Sequence, residues 1–527
     1  MRSRAIQSRA ARSRRIALGV LYEIDVNGAY AGIALDRALE RSSSSPRDRA
    51  LATELVYGVT RWFKTLDWVL DRFSTRPVAS LSPWVRNILR MGLYQLMFLR
   101  SIPGPVAVNE ACELACAVGH PGIVGFVNGI LRNILRKMSA GVTARGDARG
   151  EGGAGGARFP AAAIFPGLEF PDVERNPVEA ISIGFSHPEW LVARWIKQLG
   201  VERTMEICRL NNEPPPMSLR ANLLKITRRE LVELLLQEGV EAGPSRLVPE
   251  GVVLGAGGGP GRACKGEEGE MAYLEDAPED APDGPRVGLA ALGGLTSLRS
   301  YRDGLFTIQD ESSMLVGHAL GPEPGQAVID ACSAPGGKTT HIAEIMGDAG
   351  QILAFDIHPH RLDLLRQNLE RLDIKSVRLT ELDARRLGEH YRGVADRVLV
   401  DAPCSGTGAL RRRPDARWRK KPEDLPGFHA LQVEILRSAS NCLKQEGILV
   451  YSTCSMEPEE GEDVVREFLD SMEEGGRFAP LNVYDRLPVA FRQAFPDGGC
   501  DRRGWLRLFP DIHQVDGFFM AALKLKA

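Results

Sequence analysis

Two cysteines at the ends of apolar runs are the residues of this chain with the clearest chemical potential. Cys404 follows the run 398–403, and Cys454 follows the run 449–453. Short apolar runs of this kind predict buried strands, and loops beyond strand ends carry the chemistry of α/β enzymes. A thiol in such a loop acts as a nucleophile when its pKa is lowered. The sequence therefore predicts a reactive site that contains both cysteines.

A glycine turn after a third apolar run is the next such feature. The run 328–331 predicts a strand, and a helix is predicted to begin near Lys338. The residues between them are Cys332, Ser333, Ala334, Pro335, Gly336 and Gly337. Glycines let the backbone approach a ligand closely, and free N–H groups at a helix start bind polar atoms. Because the upstream glycine of the NTPase phosphate loop is missing, the turn indicates a different nucleotide-like cofactor.

Two aspartates follow the strands that come next in the chain. Asp356 ends a predicted strand 26 residues after Asp330, and a carboxylate there can accept both ribose hydroxyls of a nucleotide. Asp383 follows the third strand and can reach an adenine amino group, although a helix cap explains this residue equally well. Taken together, Asp330, Asp356 and Asp383 lie at the ends of successive predicted strands, which favours a cofactor site at the carboxyl ends of a parallel sheet.

The composition is that of an ordinary globular chain. Its 527 residues, 44% of them hydrophobic and 25% charged, are enough for about three or four domains. Because the net charge is only -2, binding of a nucleic acid would have to rely on local basic patches. No apolar stretch is long enough to span a bilayer. The nine scattered cysteines form neither a disulfide pattern nor a CxxC pair, so we expect reduced thiols, a cytoplasmic location and no metal site.

The first residues of the chain are strongly basic. Residues 1–20 hold six arginines and no acid, which is typical of a transit peptide or of a basic lead-in to the first domain. An amphipathic helix pattern follows directly, so we favour a lead-in that is retained. It can touch RNA phosphate or remain solvated.

Composition and periodicity divide the chain into four parts. Residues 1–138 have apolar positions at helical spacing, and the glycine-rich stretch 139–176 is typical of a flexible linker. Residues 177–304 predict a small α+β module, interrupted by an acidic insertion at 255–296 that would repel phosphate. Residues 305–527 alternate strand and helix patterns, which predicts a mostly parallel, doubly wound sheet.

The last part is specific enough to place its elements. Strands are predicted at 327–330, 352–356, 377–379, 397–401, 448–452 and 518–523. Helices between them are predicted at 339–345, 361–372 and 426–443. Directly after Cys404, the segment 411–421 interleaves seven basic residues with Trp418. Its position beside the predicted site favours contact with RNA phosphate and stacking on a base over a solvated loop.

Together these motifs resemble the RNA (cytosine-5) methyltransferases of the RsmB/Sun family. That family carries Pro-Cys after one strand and Thr-Cys-Ser after the next, which here are Pro403–Cys404 and Thr453–Ser455. The resemblance implies S-adenosyl-L-methionine as cofactor, Cys454 as nucleophile, and Cys404 as the residue that assists release of the methylated base. It implies that Asp401 contacts the flipped cytosine. The implied cofactor contacts are Cys332, Ser333, Ala334, Pro335, Gly336, Gly337, Lys338, Asp356, Asp383 and Asp401.

The helical front end also resembles a known module. The stretches 107–111 and 126–136 are similar to NusB-type RNA-binding domains, which points to bacterial 16S rRNA (cytosine-5-)-methyltransferases of type B. The implied fold is multidomain, with an all-α NusB-like domain, a small α+β RNA-binding module and an α/β Rossmann-like class I methyltransferase domain. The implied partner is 16S rRNA, bound by a monomer without a metal or a membrane.

Several alternatives remain open at this point. DNA-type enzymes use the Pro-Cys thiol as nucleophile, so the roles of Cys404 and Cys454 could be exchanged. The substrate could be tRNA, and the helical domain could dock without touching RNA. A non-catalytic RNA-binding or antitermination factor is a further reading, against which the intact cysteine pair counts.

Overall fold

The computed structural model shows three modules that pack against one another. It describes residues 11–42, 44–146, 159–165, 167–255, 294–471, 477–496, 501 and 503–526. The predicted acidic insertion at 255–296 therefore lies almost entirely outside the described residues. The first ten residues of the basic lead-in lie outside them altogether. Within the described residues, no helix combines the length and the apolar character needed to cross a membrane.

The first module is all-helical, as predicted. Its helices are α1 (Arg12–Asn27), α2 (Ala31–Glu40), α3 (Pro46–Phe73), α4 (Pro83–Phe98), α5 (Gly104–Val118) and α6 (Pro121–Gly146). The start of α3 shows why they form where they do, because Ser45 accepts a hydrogen bond from the Asp48 N–H and Pro46 fits the first turn. Along α3, apolar residues at helical spacing, such as Leu55, Val59 and Leu66, are buried in the core.

The next helices extend this core rather than forming a separate linker and module. They are α7 (Pro160–Ile164), α8 (Pro177–Gly184), α9 (Glu189–Leu199) and α10 (Val201–Leu210). Phe159 and Trp195 are buried in the same hydrophobic cluster as α3, and Phe170 packs on Trp68 with ring centroids 4.2 Å apart. The prediction of a flexible linker over 139–176 is therefore wrong for the described part of that stretch. Its glycine content suggested a linker, but its aromatic residues bury apolar surface against the helical core.

A small antiparallel sheet forms the second module. Its strands are β1 (Ser218–Ala221), β2 (Ala242–Pro244), β3 (Gly251–Leu254) and β4 (Phe306–Ile308), in the order β2-β3-β1-β4. Helix α11 (Arg228–Gln237) begins at a capping box between Thr227 and Glu230, and α12 covers Arg299–Arg302. The predicted boundary at residue 305 cuts this sheet, since β4 pairs with β1, so the sheet extends to Ile308.

The third module is built on a larger, mixed sheet. Its strands are β5 (Ala327–Asp330), β6 (Gln351–Asp356), β7 (Val377–Glu381), β8 (Ala395–Asp401), β9 (Leu443–Thr453), β10 (Phe478–Leu481), β11 (Leu506–Leu508) and β12 (Phe518–Leu525). The order is β10-β12-β9-β8-β5-β6-β7, and β11 pairs with β12. Pairing is parallel from β9 to β7 and antiparallel for β12 and β10. The predicted doubly wound α/β domain is confirmed, with an antiparallel edge added.

Helices cover both faces of this sheet. They are α13 (Glu311–Leu320), α14 (Gly337–Ile345), α15 (Pro359–Leu372), α16 (Leu387–His390), α17 (Leu425–Ser440), α18 (Glu462–Ser471), α19 (Val489–Ala494) and α20 (Pro510–His513). The chain runs from β5 outward to β7 and then returns to β8 on the other side of β5. This reversal opens a crevice at the carboxyl ends of β5 and β8, which is where doubly wound sheets bind ligands.

Candidate active site

The two predicted cysteines meet at the carboxyl edge of the sheet. Cys404 follows β8, Cys454 follows β9, and their Sγ atoms lie 3.4 Å apart. Both thiols are partly exposed, whereas Cys208 and Cys442 are buried. The parallel register of β8 and β9 pairs Asp401 with Ser452, which brings the two loops together. An exposed thiol pair at a strand edge is chemically accessible in a way that a packed core cysteine is not.

A buried carboxylate that the sequence did not single out holds both cysteine loops. Glu460 has no exposed surface and accepts hydrogen bonds from the Ser405 N–H at 2.7 Å and from the Ser455 hydroxyl at 2.6 Å. It also accepts from the Ser405 hydroxyl and, at 3.2 Å, from the Gln432 amide. Ser405 and Ser455 directly follow Cys404 and Cys454. Glu460 therefore fixes the separation of the two thiols.

A charged pair lies beside the thiols. The Lys338 ammonium donates to Asp401 Oδ2 at 2.7 Å, and the Ser452 hydroxyl donates to Asp401 Oδ1 at 2.9 Å. The Lys338 Nζ also lies 5.1 Å from the centroid of the Phe518 ring. Burial disfavours the charge on Lys338, but the Asp401 carboxylate outweighs burial and raises the lysine pKa. Lys338 therefore remains charged at the edge of the site.

The electrostatic surroundings of the two thiols differ. The hydrogen bond from the Cys404 thiol lowers the pKa of Cys454, against the effect of burial, and the Lys338 and Arg413 cations act in the same direction. The same hydrogen bond, followed by burial and the Cys454 charge, raises the pKa of Cys404 well above its ordinary value. The Asp401 charge raises the pKa of both thiols, but the two cations act on Cys454 and the Glu460 charge acts on Cys404. Cys454 is the thiol that carries negative charge more readily.

The predicted glycine turn lies at the end of β5, in the same crevice. Ser333 donates from its hydroxyl and its N–H to the Phe355 carbonyl, at 2.9 and 2.8 Å, which joins the turn to β6. Gly336 has φ +106, and a Cβ there would lie 2.2 Å from Leu365 Cδ1, so only glycine fits. Cys332 is half-buried, and burial raises the pKa of its thiol well above the usual value.

Asp330 stands directly before this turn. The Thr339 hydroxyl donates to its Oδ2 at 2.7 Å, but its buried Oδ1 has no hydrogen-bond partner among the described residues. Burial raises the pKa of Asp330 to about 7. An orphaned carboxylate oxygen in a crevice needs a donor, so this atom points to a ligand with an amino or hydroxyl group.

The other two predicted acids are engaged to different extents. Asp356 is buried at the end of β6, accepts from the His358 N–H at 2.9 Å and lies 3.3 Å from Arg361 Nη1. Arg361 also donates to the Ala334 carbonyl at 2.8 Å, which ties Asp356 to the glycine turn. Asp383 caps a short 3₁₀ helix, and a hydrogen bond from Arg385 lowers its pKa. The cap interpretation of Asp383 thus describes its present contacts.

The predicted role of the basic segment 411–421 is wrong for most of its residues. Arg417 is fully buried and donates to the Ser186 carbonyl at 3.0 Å and to the Asn212 side-chain oxygen at 2.9 Å. The Trp418 indole donates to the Thr60 carbonyl at 3.3 Å. These groups dock the helical domain on the larger sheet, so they are not available to phosphate or to a base.

The neighbouring arginines show the same pattern. Arg412 bridges Asp310 and Asp516, the latter at 2.7 Å, and Arg419 donates to the backbone carbonyls of Gly28, at 2.6 Å, and Ala29. In contrast, Arg413 and Lys421 are exposed. Arg413 therefore remains as the exposed cation of this segment whose charge acts on Cys454.

The basic lead-in is likewise built into the fold where it is described. Helix α1 begins at Arg12, and Arg14 is buried, with its Nε donating to Gln95 Oε1 at 2.8 Å and Glu110 lying 3.7 Å away. Burial lowers the pKa of Arg14. Arg14 is therefore not available to RNA phosphate, whereas Arg2, Arg4 and Arg9 of the lead-in lie outside the described residues.

Comparison with known families matches each of the three modules. The model described as 16S rRNA methyltransferase RsmB/F matches residues 317–524, and that of the NusB family matches residues 11–136. A model for the ferredoxin-like domain of RsmF/B-like methyltransferases matches residues 187–258. The resemblance inferred from the motifs is confirmed.

Solved structures share the fold. The crystal structure of PH0851 has a TM-score of 0.70 and 24% identity, covering 98% of this chain and 100% of that one. A methyltransferase homolog protein from Pyrococcus horikoshii has a TM-score of 0.50 and 28% identity, covering 67% of this chain and 99% of that one.

Curated relatives extend over nearly the whole chain. A probable ribosomal RNA small subunit methyltransferase B of Bacillus subtilis is 35% identical over 97% of this chain and 98% of its own length. A ribosomal RNA small subunit methyltransferase B of Klebsiella pneumoniae is 33% identical over 91% of this chain and 90% of its own length. Similarity of this extent shows that the chain belongs to the RsmB/F family of 16S rRNA methyltransferases.

Proposed function

We propose that this S-adenosyl-L-methionine-dependent rRNA methyltransferase methylates carbon 5 of a cytosine in 16S rRNA through a transient bond between Cys454 and carbon 6. The observation that carries the proposal is the pair of thiols 3.4 Å apart, with Lys338 and Asp401 beside them. A methyl transfer to oxygen or to an exocyclic nitrogen needs no sulfur nucleophile. A transfer to the weakly nucleophilic carbon 5 does, which explains why the site holds thiols.

Cys454 begins the reaction as a thiolate. Its sulfur adds to carbon 6, and the electron pair of the carbon 5–carbon 6 double bond moves to carbon 5, which becomes nucleophilic. The lowered pKa of Cys454 supports this role, because the hydrogen bond from Cys404 and the nearby cations favour the thiolate. Cys442 and Cys208 lack this environment: burial raises the pKa of Cys442 to about 12 and raises that of Cys208 well above its usual value.

Cys404 acts at the end of the reaction. After carbon 5 has gained its methyl group, loss of the carbon 5 proton re-forms the double bond and expels the Cys454 sulfur as a thiolate. The Cys404 S–H, 3.4 Å away, donates to that departing sulfur and stabilises its charge. Without the donor, the covalent bond between protein and RNA is broken more slowly.

Asp401 binds the base, and Lys338 orients Asp401. A carboxylate accepts a hydrogen bond from the cytosine amino group, which is the pairing expected for this base. Lys338 and Ser452 fix the two oxygens of Asp401 in place, so its orientation is set before the base arrives. The thiols lie within a crevice and are only partly exposed, so the cytosine must leave its stack to reach them.

The crevice fits the cofactor. The residues that would hold it are those of the glycine turn, Asp356, Asp383, Asp401 and Asp330, whose orphaned Oδ1 suits an amino group. When bound there, S-adenosyl-L-methionine supplies an electrophilic methyl group on a sulfonium centre. The turn places Gly337 at the start of α14, where free N–H groups can bind carboxylate oxygen.

Loss of tritium from carbon 5 tests the proposal directly. The purified protein is incubated with S-adenosyl-L-methionine and 16S rRNA that carries tritium at carbon 5 of its cytosines. We expect one tritium to be released for each methyl group transferred, since methylation at carbon 5 replaces that hydrogen. Bisulfite sequencing of rRNA from a strain lacking the gene should show the same cytosine losing its protection. Methyl transfer without tritium release would overturn the proposal.

A further inference from the structure

Three side chains from two modules converge beside the helix that begins at the glycine turn. Glu250 immediately precedes β3 of the small sheet, His318 lies on α13, and His341 lies on α14. The Glu250 carboxylate accepts hydrogen bonds from His318 Nε2, at 3.0 and 3.1 Å, and lies 2.9 Å from His341 Nε2. One ligand atom from each residue lies within 4.8 Å of the others. These residues are called the Glu-His-His cluster below.

His341 is the unusual member of the cluster. It is 1% exposed, and neither ring nitrogen makes a hydrogen bond to any described residue. Nε2 lies close to Glu250 but is not aligned for a hydrogen bond with it. A neutral imidazole has one N–H and one lone pair to satisfy, and leaving them buried without partners is unfavourable. A group positioned between Nε2 and the carboxylate would remove part of that cost.

The carboxylate also lacks an ordinary cationic partner. Nearby Arg220 is fully buried, but it forms its ion pair with Glu344, at 2.8 Å. In the described part of the chain, the ion-pair contacts of Glu250 are with the two histidines alone. A buried carboxylate beside imidazoles and without a lysine or arginine is suited to a cation supplied from outside.

The geometry points to a binding site for a divalent transition-metal ion, with Zn²⁺ the expected occupant, held by His318 Nε2, His341 Nε2 and the Glu250 carboxylate. Two imidazoles and one carboxylate are a common ligand set for zinc. Tetrahedral zinc with bonds of about 2.0 to 2.1 Å places its ligand atoms about 3.3 Å apart. The two distances to the carboxylate, 2.9 and 3.0 Å, are close to that value, and all three ligand atoms lie within 4.8 Å of one another. The His318 side chain is 21% exposed, which leaves a side open for a water ligand.

Zinc is favoured over iron by the surroundings. The same three ligand types hold iron in oxygenases, but that chemistry needs several open positions for oxygen and a substrate. Here His341 and Glu250 are almost completely buried between packed helices and strand. The ion would therefore be structural. It would join the small sheet to α14, the helix that starts at the glycine turn, and so stiffen the cofactor crevice. The sequence shows no local ligand motif here, because His318 and His341 lie 68 and 91 residues after Glu250.

Metal content and thermal stability of the full-length, untagged protein test this inference. After stripping with a chelator, exposure to Zn²⁺ and gel filtration, we expect about one zinc per chain and a melting temperature several degrees above that of the stripped protein. His318→Ala and Glu250→Gln should lose the bound zinc and the shift. His360→Ala, which alters an exposed histidine on α15, should keep both. His318 is partly exposed and Glu250→Gln keeps the size of the side chain, so the variants should fold.

Cobalt distinguishes this site from the thiol pair. Co²⁺ bound by the cluster should give visible absorption without a thiolate-to-cobalt charge-transfer band. Such a band would place the ion on the cysteines and overturn the inference. Failure of the wild-type protein to retain zinc, or retention by His318→Ala and Glu250→Gln at the wild-type level, would overturn it as well. Methyl transfer activity is not the readout, so this result is independent of the proposed cytosine chemistry.

Discussion

The cysteine loops and the basic segment 411–421, which follows the Cys404 loop in the chain, are held in opposite ways. The loops are fixed by Glu460, which binds the serine after each cysteine and leaves both sulfur atoms partly exposed. The basic segment is fixed by its own side chains, whose guanidinium groups bind backbone carbonyls of other modules. In the first region the reactive atoms remain available, whereas in the second most of the charge is already engaged.

The difference reflects how far each side chain reaches. A cysteine is short, so the strand end that carries it decides where its sulfur lies. An arginine is long and has five donors, which can be accepted by backbone carbonyls as well as by phosphates. A basic run near an active site is therefore ambiguous until the tertiary contacts of each arginine are known.

Replacement of the proposed nucleophile should have the largest effect. We expect Cys454→Ala to lower kcat by roughly 10⁴-fold or more, because no other group can attack carbon 6. Binding of S-adenosyl-L-methionine, measured by calorimetry, should be unchanged. Cys116→Ala, which removes an exposed thiol far from the crevice, serves as the control. Comparable activity in Cys454→Ala and the control would mean that the sulfur is not part of the reaction.

The support beneath the loops should matter next. Glu460→Gln keeps the size of the side chain but replaces one acceptor oxygen by a donor, so the Ser405 and Ser455 groups lose a partner. A displacement of the thiols by about 1 Å would lower kcat by about 100-fold with little change in the KM for the cofactor. Glu434→Gln, an exposed change on α17, is the matched control. Equal changes in kcat and KM would argue against a positioning role.

The docking role of the basic segment predicts an effect on stability. Arg417→Ala leaves the Ser186 and Asn211 carbonyls without their donor and opens a cavity, which should lower the free energy of unfolding by about 2 to 4 kcal/mol. Lys421→Ala, in the same segment but exposed, should change it by less than about 0.5 kcal/mol. If Arg417 instead gripped RNA, its loss would weaken RNA binding and reduce the salt dependence while stability stayed the same.

Arg413 should show a smaller, different effect. Arg413→Ala should raise the KM for RNA about threefold to tenfold and reduce the salt slope of binding by about 1. Loss of its charge also removes one influence that lowers the Cys454 pKa, so the acid limb of the kcat/KM profile should move to higher pH. Arg378→Ala, an exposed change on β7, should alter neither quantity. An unchanged pH profile would show that the Arg413 charge does not reach the thiol.

The sequence predicted the strands around the site because each is a short apolar run followed by residues that cannot continue it. Asp330, Asp356, Cys404 and Cys454 were placed in this way, and parallel pairing then brings such residues to one edge. Glu460 was not found, since its contacts with Ser405 and Ser455 exist only after the two loops meet. No local pattern distinguishes it from its acidic neighbours Glu457, Glu459 and Glu462.

The boundaries of the modules were harder to predict for a related reason. Strand β4 has three residues, and its pairing with β1 joins positions far apart in the chain. The aromatic residues around α7 are spaced among glycines and prolines, so their burial against α3 leaves no periodic signal. Contacts that join distant parts of a chain stabilise the fold but produce no recognisable pattern in the local sequence.

Covalent trapping of RNA tests the central claim most directly. Each variant is incubated with S-adenosyl-L-methionine and a 16S rRNA fragment and then run on a denaturing gel. Cys404→Ala should form a slowly migrating protein–RNA adduct, because release of the Cys454 sulfur has lost its hydrogen-bond donor. Cys454→Ala and the double variant should form none. An adduct in Cys454→Ala that is absent from Cys404→Ala would contradict the account and reverse the roles of the two thiols.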